Sequence, residues 1–308
     1  MNILVVRTDK LGDFITALPT CKVLKEQNPK NKIIVCVAPM NKELARACDF
    51  IDEVIVDDGG KMFDFVEKIK AIHADISFTL FSNTRVAFAQ FLARIPRRVA
   101  PATKMAQIFY TDKITQRRSQ VKMAEFEYNL ELTKALFPKI DLRYDTPLLE
   151  LKNKPAPLEG SICFHVGFGG SSDANWTLDE YEILIREALQ MHKVVLTFGP
   201  DEEHLLEDMK HRLKGEDVSF YLSNRGIVEF ARYISGFKLF VSTSTGTYHL
   251  ASLVGVPTMT FFADTLFASS KRWRGVGSIN LQKNYMIPQD KQKRAELFEE
   301  IQRELLIF

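Results

Sequence analysis

Long apolar runs, metal-ligand spacings and charge of one sign are all missing from this sequence. No stretch approaches the roughly 20 consecutive apolar residues that a membrane-spanning helix needs. The opening Ile3-Leu4-Val5-Val6 is interrupted at once by Arg7, too short an apolar core for a signal peptide. The chain is therefore expected in the cytoplasm, free to touch a membrane surface but not to cross it. Cysteine is sparse: Cys21, Cys36, Cys48 and Cys163 form no C-x-x-C pair and lack the density of a stapled secreted domain. They read as small buried apolar residues in a reducing compartment. A net charge of +2 gives no general argument for nucleic acid. There is no low-complexity tract and no short internal repeat.

What is present is an ordinary globular composition, 46% hydrophobic and 26% charged over 308 residues. That length exceeds what a single core usually supports, so two domains are expected. The stretch from Tyr144 to Pro157, rich in proline and charge, reads as their linker and sets the expected domains at 1–154 and 155–308.

Each half repeats one pattern, an apolar run followed by a helical period. In the first half the runs are 2–7, 32–37, 53–56 and 74–80, with helices near 41–48 and 62–71. In the second they are 161–166, 193–198, 218–222, 239–241 and 257–262, with helices near 178–190 and 201–213. Continuous apolar strands alternating with helices predict an α/β class of two doubly wound, Rossmann-like parallel sheets. The segment from Asp290 to Phe308 has Leu297, Ile301, Leu305 and Leu306 at helical spacing and is expected to pack back on the N-terminal domain.

Parallel sheets bind ligands beyond the carboxyl ends of their strands, so the loops after strands are the places to search. The first is Arg7-Thr8-Asp9-Lys10-Leu11-Gly12-Asp13, where Gly12 permits a tight turn and Asp13 begins a helix. Asp13 fits a helix cap, or a general base deprotonating an acceptor hydroxyl. The second loop, Gly167-Phe168-Gly169-Gly170-Ser171-Ser172, could bring backbone N–H groups close to an anion, although it is neither a Walker loop nor a dinucleotide fingerprint.

Ser244-Thr245-Gly246-Thr247-Tyr248-His249 is the most informative stretch: a strand ends, hydroxyls follow, and an apolar helix starts near Gly246. Free N–H groups, the positive end of the helix dipole and hydroxyl donors suit a diphosphate, and also an ordinary helix cap. Asp201, Glu202 and Glu203 compete as ribose acceptors against a plain helix-start role; Glu202 is taken into the donor site. From Arg85 to Lys122 nine cationic residues, among them Arg94, Arg97, Arg98, Arg117 and Arg118, face a single acid, Asp112. This is an anion-attracting stretch, in which Met105, Ile108, Phe109 and Tyr110 could meet lipid headgroups or belong to the core.

These residues resemble a known family, the bacterial heptosyltransferases of lipopolysaccharide core assembly, glycosyltransferase family 9. The similarity runs through Ile3 to Arg7 with Leu11-Gly12-Asp13 and Leu18-Pro19, through the loop from Gly167 to Trp176, and through Ser244-Thr245-Gly246, His249-Leu250-Ala251 and Gly255-Val256-Pro257. The resemblance implies a GT-B fold, two Rossmann-like domains flanking a cleft, with no metal and no cofactor. It implies an inverting transfer of a heptose, from ADP-heptose, to a lipid-linked anionic core oligosaccharide at the cytoplasmic face of the inner membrane.

In that scheme Asp13 is the base. Gly167, Gly169, Ser171, Ser172, Trp176, Glu202, Ser244, Thr245, Gly246, Thr247 and His249 serve the donor. Lys10, Gly12 and Arg94, Arg97, Arg98, Arg117 and Arg118 serve the acceptor. Two positions depart from the family: Ser244 stands for an aspartate, and Ala174 and Asn175 stand where a lysine precedes the tryptophan. They leave room for a different donor or for a non-catalytic binding member, with Lys271, Arg272 or Arg274 as substitutes for the lost charge. A nucleotide-sugar epimerase is the competing enzyme; an oxidoreductase lacks its glycine fingerprint.

Overall fold

The apolar runs become strands buried on both faces, arranged in two separate sheets. A computed structural model describes residues 1–103, 105–151, 160–167 and 175–308. The chain divides at Leu148/Leu149, a little ahead of the expected boundary.

The first unit carries β1 (Asn2–Arg7), β2 (Lys32–Val37), β3 (Glu53–Val56), β4 (Ile76–Thr79), β5 (Arg97–Pro101) and β6 (Asp112–Ile114). They lie in the order β3-β2-β1-β4-β5-β6, every neighbouring pair parallel. Its helices are α1 (Leu11–Ile15), α2 (Leu18–Gln27), α3 (Lys42–Ala47), α4 (Met62–Ala71), α5 (Thr84–Leu92) and α6 (Glu125–Thr133). The helical stretch after β1 is broken between α1 and α2, and Pro19, with no N–H to give, falls in the first turn of α2. From β1 the chain fills one side of the sheet and then crosses to β4 on the other. The carboxyl end of β1 is therefore a topological switch point, the place where such sheets bind ligands.

The second unit repeats the plan with β7 (Ile162–His165), β8 (Val194–Phe198), β9 (Val218–Leu222), β10 (Leu239–Thr243), β11 (Thr258–Ala263) and β12 (Gln282–Ile287). The order is β12-β11-β10-β7-β8-β9, again parallel throughout, with the switch point between β7 and β10. Its helices are α7 (Leu178–Leu189), α8 (Glu203–Arg212), α9 (Ile227–Ile234), α10 (Gly246–Leu253), α11 (Ser270–Trp273) and α12 (Lys291–Ile307). Thr177 and Glu180 close a reciprocal capping box at the start of α7.

The C-terminal helix α12 puts Ile301 and Leu305 into the core of the second unit, and Arg294 pairs with Glu180 at 2.7 Å. Its buried residues thus belong to the core of its own unit. All four cysteines are buried and free, and burial pushes the Cys48 and Cys163 thiols up to about 12. No helix among the described residues is long and apolar enough to cross a membrane.

Candidate active site

At the carboxyl end of β1, Arg7 is buried to 2% exposure and gathers three carboxylates. Its Nε donates to Asp9 Oδ1 at 2.8 Å, one terminal nitrogen to Asp13 Oδ1 at 2.6 Å and the other to Glu125 Oε1 at 3.4 Å. Glu125, at the start of α6, is also held by Arg118 at 2.5 Å. Burial opposes the charge on Arg7, but Asp9, Asp13 and Glu125 outweigh it and raise the guanidinium pKa. Burial raises the pKa of Asp9 in spite of Arg7.

Asp13 is three-quarters buried in α1, with Oδ1 held by Arg7 and no hydrogen bond to Oδ2 among the described residues. A carboxylate with one oxygen fixed and the other open can accept a proton from a ligand hydroxyl. Lys10 and Gly12 lie in the same turn: Lys10 is the N-terminal flank of α1, and the Gly12 carbonyl accepts from Thr16 N–H at 3.1 Å. Sequence reasoning named Asp13 but assigned no site role to Arg7 or Glu125. A lone arginine closing an apolar strand was a signal for the first; an acid at a helix start gave none for the second.

The arginines expected to act together on an acceptor are divided by the sheet. Arg118 belongs to the Asp13 end, through Glu125, and Arg117 precedes it with a left-handed backbone, φ +46°. Arg97 and Arg98 begin β5 and sit level with Ile76 and Ser77, hence level with Ile3 and Leu4 of β1. Strands rise about 3.3 Å per residue, so these two are on the order of 10 Å from Arg7, towards the amino edge. There Arg97 pairs with Asp112 at 2.8 Å, and Arg98 donates to the carbonyls of Phe109 and Ile95. Arg94 precedes them in the same amino-edge turn, after α5. Parallel register thus places Arg94, Arg97 and Arg98, expected at the acceptor, at the edge of the sheet opposite Asp13.

In the second unit, the Glu202 carboxylate sits between the ends of β7 and β8. Its Oε2 accepts from Gly199 N–H at 2.7 Å and lies 3.7 Å from His165 Nε2. Gly167 is where this carboxylate comes closest to the neighbouring chain: a Cβ there would stand 1.9 Å from Glu202 Oε1. The glycine is needed for the approach of Glu202, a different reason from the close anion approach expected of it. His165 is buried against Phe240, with Nδ1 3.2 Å from Thr197 Oγ1, and burial lowers its pKa against the pull of Glu202. It is a further residue that the sequence reading left out. Gly169, Ser171, Ser172 and Ala174 lie outside the described residues.

At the next strand end, Thr245 precedes α10 and its hydroxyl meets that of Thr247 at 2.8 Å without capping the helix. The amides of the first helical turn, including Gly246 and Thr247, have no acceptor within the helix and carry the positive end of its dipole. Ser244 uses its own N–H on the Phe261 carbonyl at 2.9 Å. His249, one turn in, is buried with no partner for Nδ1 among the described residues, and burial pushes its pKa down to about 4. It is a neutral imidazole at neutral pH.

Trp176, expected at the donor, has its ring in the core of the second unit. Its ring is 3% exposed, packed edge-on against Phe261 at 5.7 Å and Phe298 at 5.2 Å, with the Arg294 guanidinium 4.4 Å from its centroid.

Two parallel six-stranded units, each with polar groups at the carboxyl edge of a switch point, are the GT-B arrangement of glycosyltransferases. The family model of glycosyltransferase family 9 (heptosyltransferase) matches residues 62–300, and the chain belongs to this family of glycosyltransferases. A relative from Haemophilus influenzae is 33% identical over 96% of this chain and 92% of its own; it carries only the general description of a glycosyltransferase, without a substrate. Among solved structures, E. coli ADP-heptose LPS heptosyltransferase II superposes with a TM-score of 0.82 at 16% identity, covering 100% of this chain and 99% of that one. E. coli heptosyltransferase WaaC with ADP gives 0.79 at 20% identity over 99% and 100%. WaaC with ADP-2-deoxy-2-fluoro heptose gives 0.76 at 21% over 97% and 99%.

Proposed function

We propose that the protein transfers a heptose from ADP-heptose to an anionic inner-core oligosaccharide of lipopolysaccharide or lipooligosaccharide type, with inversion and without a metal, at the cytoplasmic face of the inner membrane. The observation that carries this is Asp13, fixed through one oxygen by a buried arginine at the switch point of β1 and open at the other. Asp13 takes the proton of the acceptor hydroxyl as its oxygen bonds to the anomeric carbon. The bond from that carbon to the diphosphate breaks, and ADP leaves with the electron pair. Attack from the face opposite the leaving group inverts the centre.

The developing diphosphate charge is met by the first-turn amides of α10 and by the hydroxyls of Thr245 and Thr247. Glu202, with Oε1 free of any hydrogen bond among the described residues, would accept from the ribose hydroxyls. The ligands named for the WaaC structures, ADP and a fluorinated ADP-heptose, support the choice of nucleotide sugar. Ser244, neutral where the resemblance leads one to expect an aspartate, favours a second reading, a member that binds donor or core oligosaccharide without turnover.

The test is turnover of ADP-heptose with deacylated core acceptor, following ADP release and acceptor mass for the wild type and Asp13→Ala. One added heptose, lost in the variant while donor binding persists, is the expected result. Donor binding without any transfer would favour the second reading, and no binding of ADP-heptose would overturn the donor.

A further inference from the structure

We propose that the outer side of α5, the start of β5 and the turn Met105–Phe109 form a docking surface for an anionic lipid bilayer. It deepens the membrane-facing part of the function above and rests on it, but is tested without donor or acceptor, so either can fail alone.

Three large apolar side chains stand out from this face: Phe91 is 48% exposed, Ile108 65% and Met105 76%. Scattered exposed apolar residues need no explanation. These share one scaffold, in which Phe109 packs against Phe88 at 5.3 Å and Phe91 at 5.6 Å. The protruding side chains are thus carried on a base of packed rings, in which Phe88 and Phe109 are half-buried.

Beside them lies a recess of about 570 Å³ lined by Phe91, Leu92, Arg94, Ile95, Pro96 and Arg98. Its charge is one-sided. Asp112 is already committed to Arg97 through two hydrogen bonds, at 2.8 and 3.0 Å. Arg98 is fixed by backbone carbonyls, with its guanidinium 5.7 Å from the Phe91 ring. Arg94, exposed on a left-handed turn with φ +57°, has no acidic partner among the described residues.

Protruding apolar groups beside Arg94 and Arg98, neither paired with a carboxylate among the described residues, match a headgroup layer, where the apolar tips enter the acyl boundary and guanidinium groups meet phosphates. A second copy of the chain would set cationic patch against cationic patch. Because the patch lies at the amino edge of β5, the carboxyl edge with Asp13 is left uncovered.

Cosedimentation with vesicles of phosphatidylcholine, with and without phosphatidylglycerol, tests this. Binding should require the anionic lipid and fall with added salt. Arg94→Gln should weaken partitioning about fivefold, the share of one arginine near an anionic surface. Phe91→Ser and Ile108→Ser should weaken it as well, with unchanged thermal unfolding. Phe63→Ser, at a more exposed phenylalanine on α4, should bind as the wild type does. Absence of vesicle binding, equal binding to neutral vesicles, or equal loss in Phe63→Ser overturns the proposal. The first of these would leave an acidic protein as the partner to look for.

Discussion

The carboxylate of Glu202 fills the space that a side chain at Gly167 would need, with Oε1 only 1.9 Å from the position of a Cβ. Gly167→Ala therefore displaces Glu202 and costs about 1–3 kcal/mol, the usual range for overpacking. In Glu202→Ala the obstacle is gone, so the alanine at 167 should then cost much less. Thermal unfolding of both single variants and the double variant measures this coupling. Strictly additive losses would mean that the two residues do not meet.

Arg7 and Asp13 should separate stability from catalysis. Removing Arg7 leaves Asp9 and Asp13 as partly buried carboxylates without their cation, with Glu125 still held by Arg118, and Arg7→Met is expected to lose about 3–5 kcal/mol of stability. Asp13→Asn keeps the shape and lowers turnover by about 10²- to 10⁴-fold, with little change in donor affinity. Undiminished turnover in Asp13→Asn would remove the proposed base.

Stability should fall on acidification through His249. In the unfolded chain this imidazole takes a proton near pH 6.5, while in the folded protein burial delays protonation to about 4. The unfolded state therefore binds the proton first. The contribution is intact above pH 6.5 and is lost as pH drops towards 4, by up to about 3 kcal/mol. His249→Leu should flatten this slope in melting temperatures recorded against pH, and an unchanged slope would assign the acid sensitivity elsewhere.

Trp176→Ala should act on folding more than on the donor. Emptying the space between Phe261 and Phe298 is expected to cost about 3–5 kcal/mol, read from denaturant unfolding. At a temperature where the variant stays folded, donor affinity should be close to that of the wild type. A stable variant that fails to bind donor would restore the ligand role.

Turnover should survive a chelator, because the amides and hydroxyls at the start of α10 can take the diphosphate charge. Activity lost to EDTA and restored by a divalent cation would place that charge on a metal.

The strands were legible because a parallel sheet buries both faces and leaves an unbroken apolar run: Lys32–Val37, Glu53–Val56 and Val218–Leu222 occur where those runs stand. The helix Met62–Ala71 was equally clear from its period. Edge strands such as β6 and β12 carry too many polar residues to show. Asp13 and the turn before α10 could be found from their places after strands. Grouping the arginines by proximity in sequence misled, since β5 carries Arg97 and Arg98 at one edge while Arg117 and Arg118 follow β6 at the other. Trp176 could not be assigned from a loop pattern, because only the fold brings Phe261 and Phe298 against it.

The hold of Arg7 on Asp13 bears on regiochemistry. With Oδ1 occupied at 2.6 Å, the proposed base works through Oδ2 alone, along one direction fixed from inside the sheet. A polyhydroxylated sugar offers several equivalent nucleophiles, and a freely rotating carboxylate would choose poorly among them. A pinned one activates the hydroxyl that lies on its open side, so the linkage position of the product is selected in part by a buried arginine that need not contact the sugar.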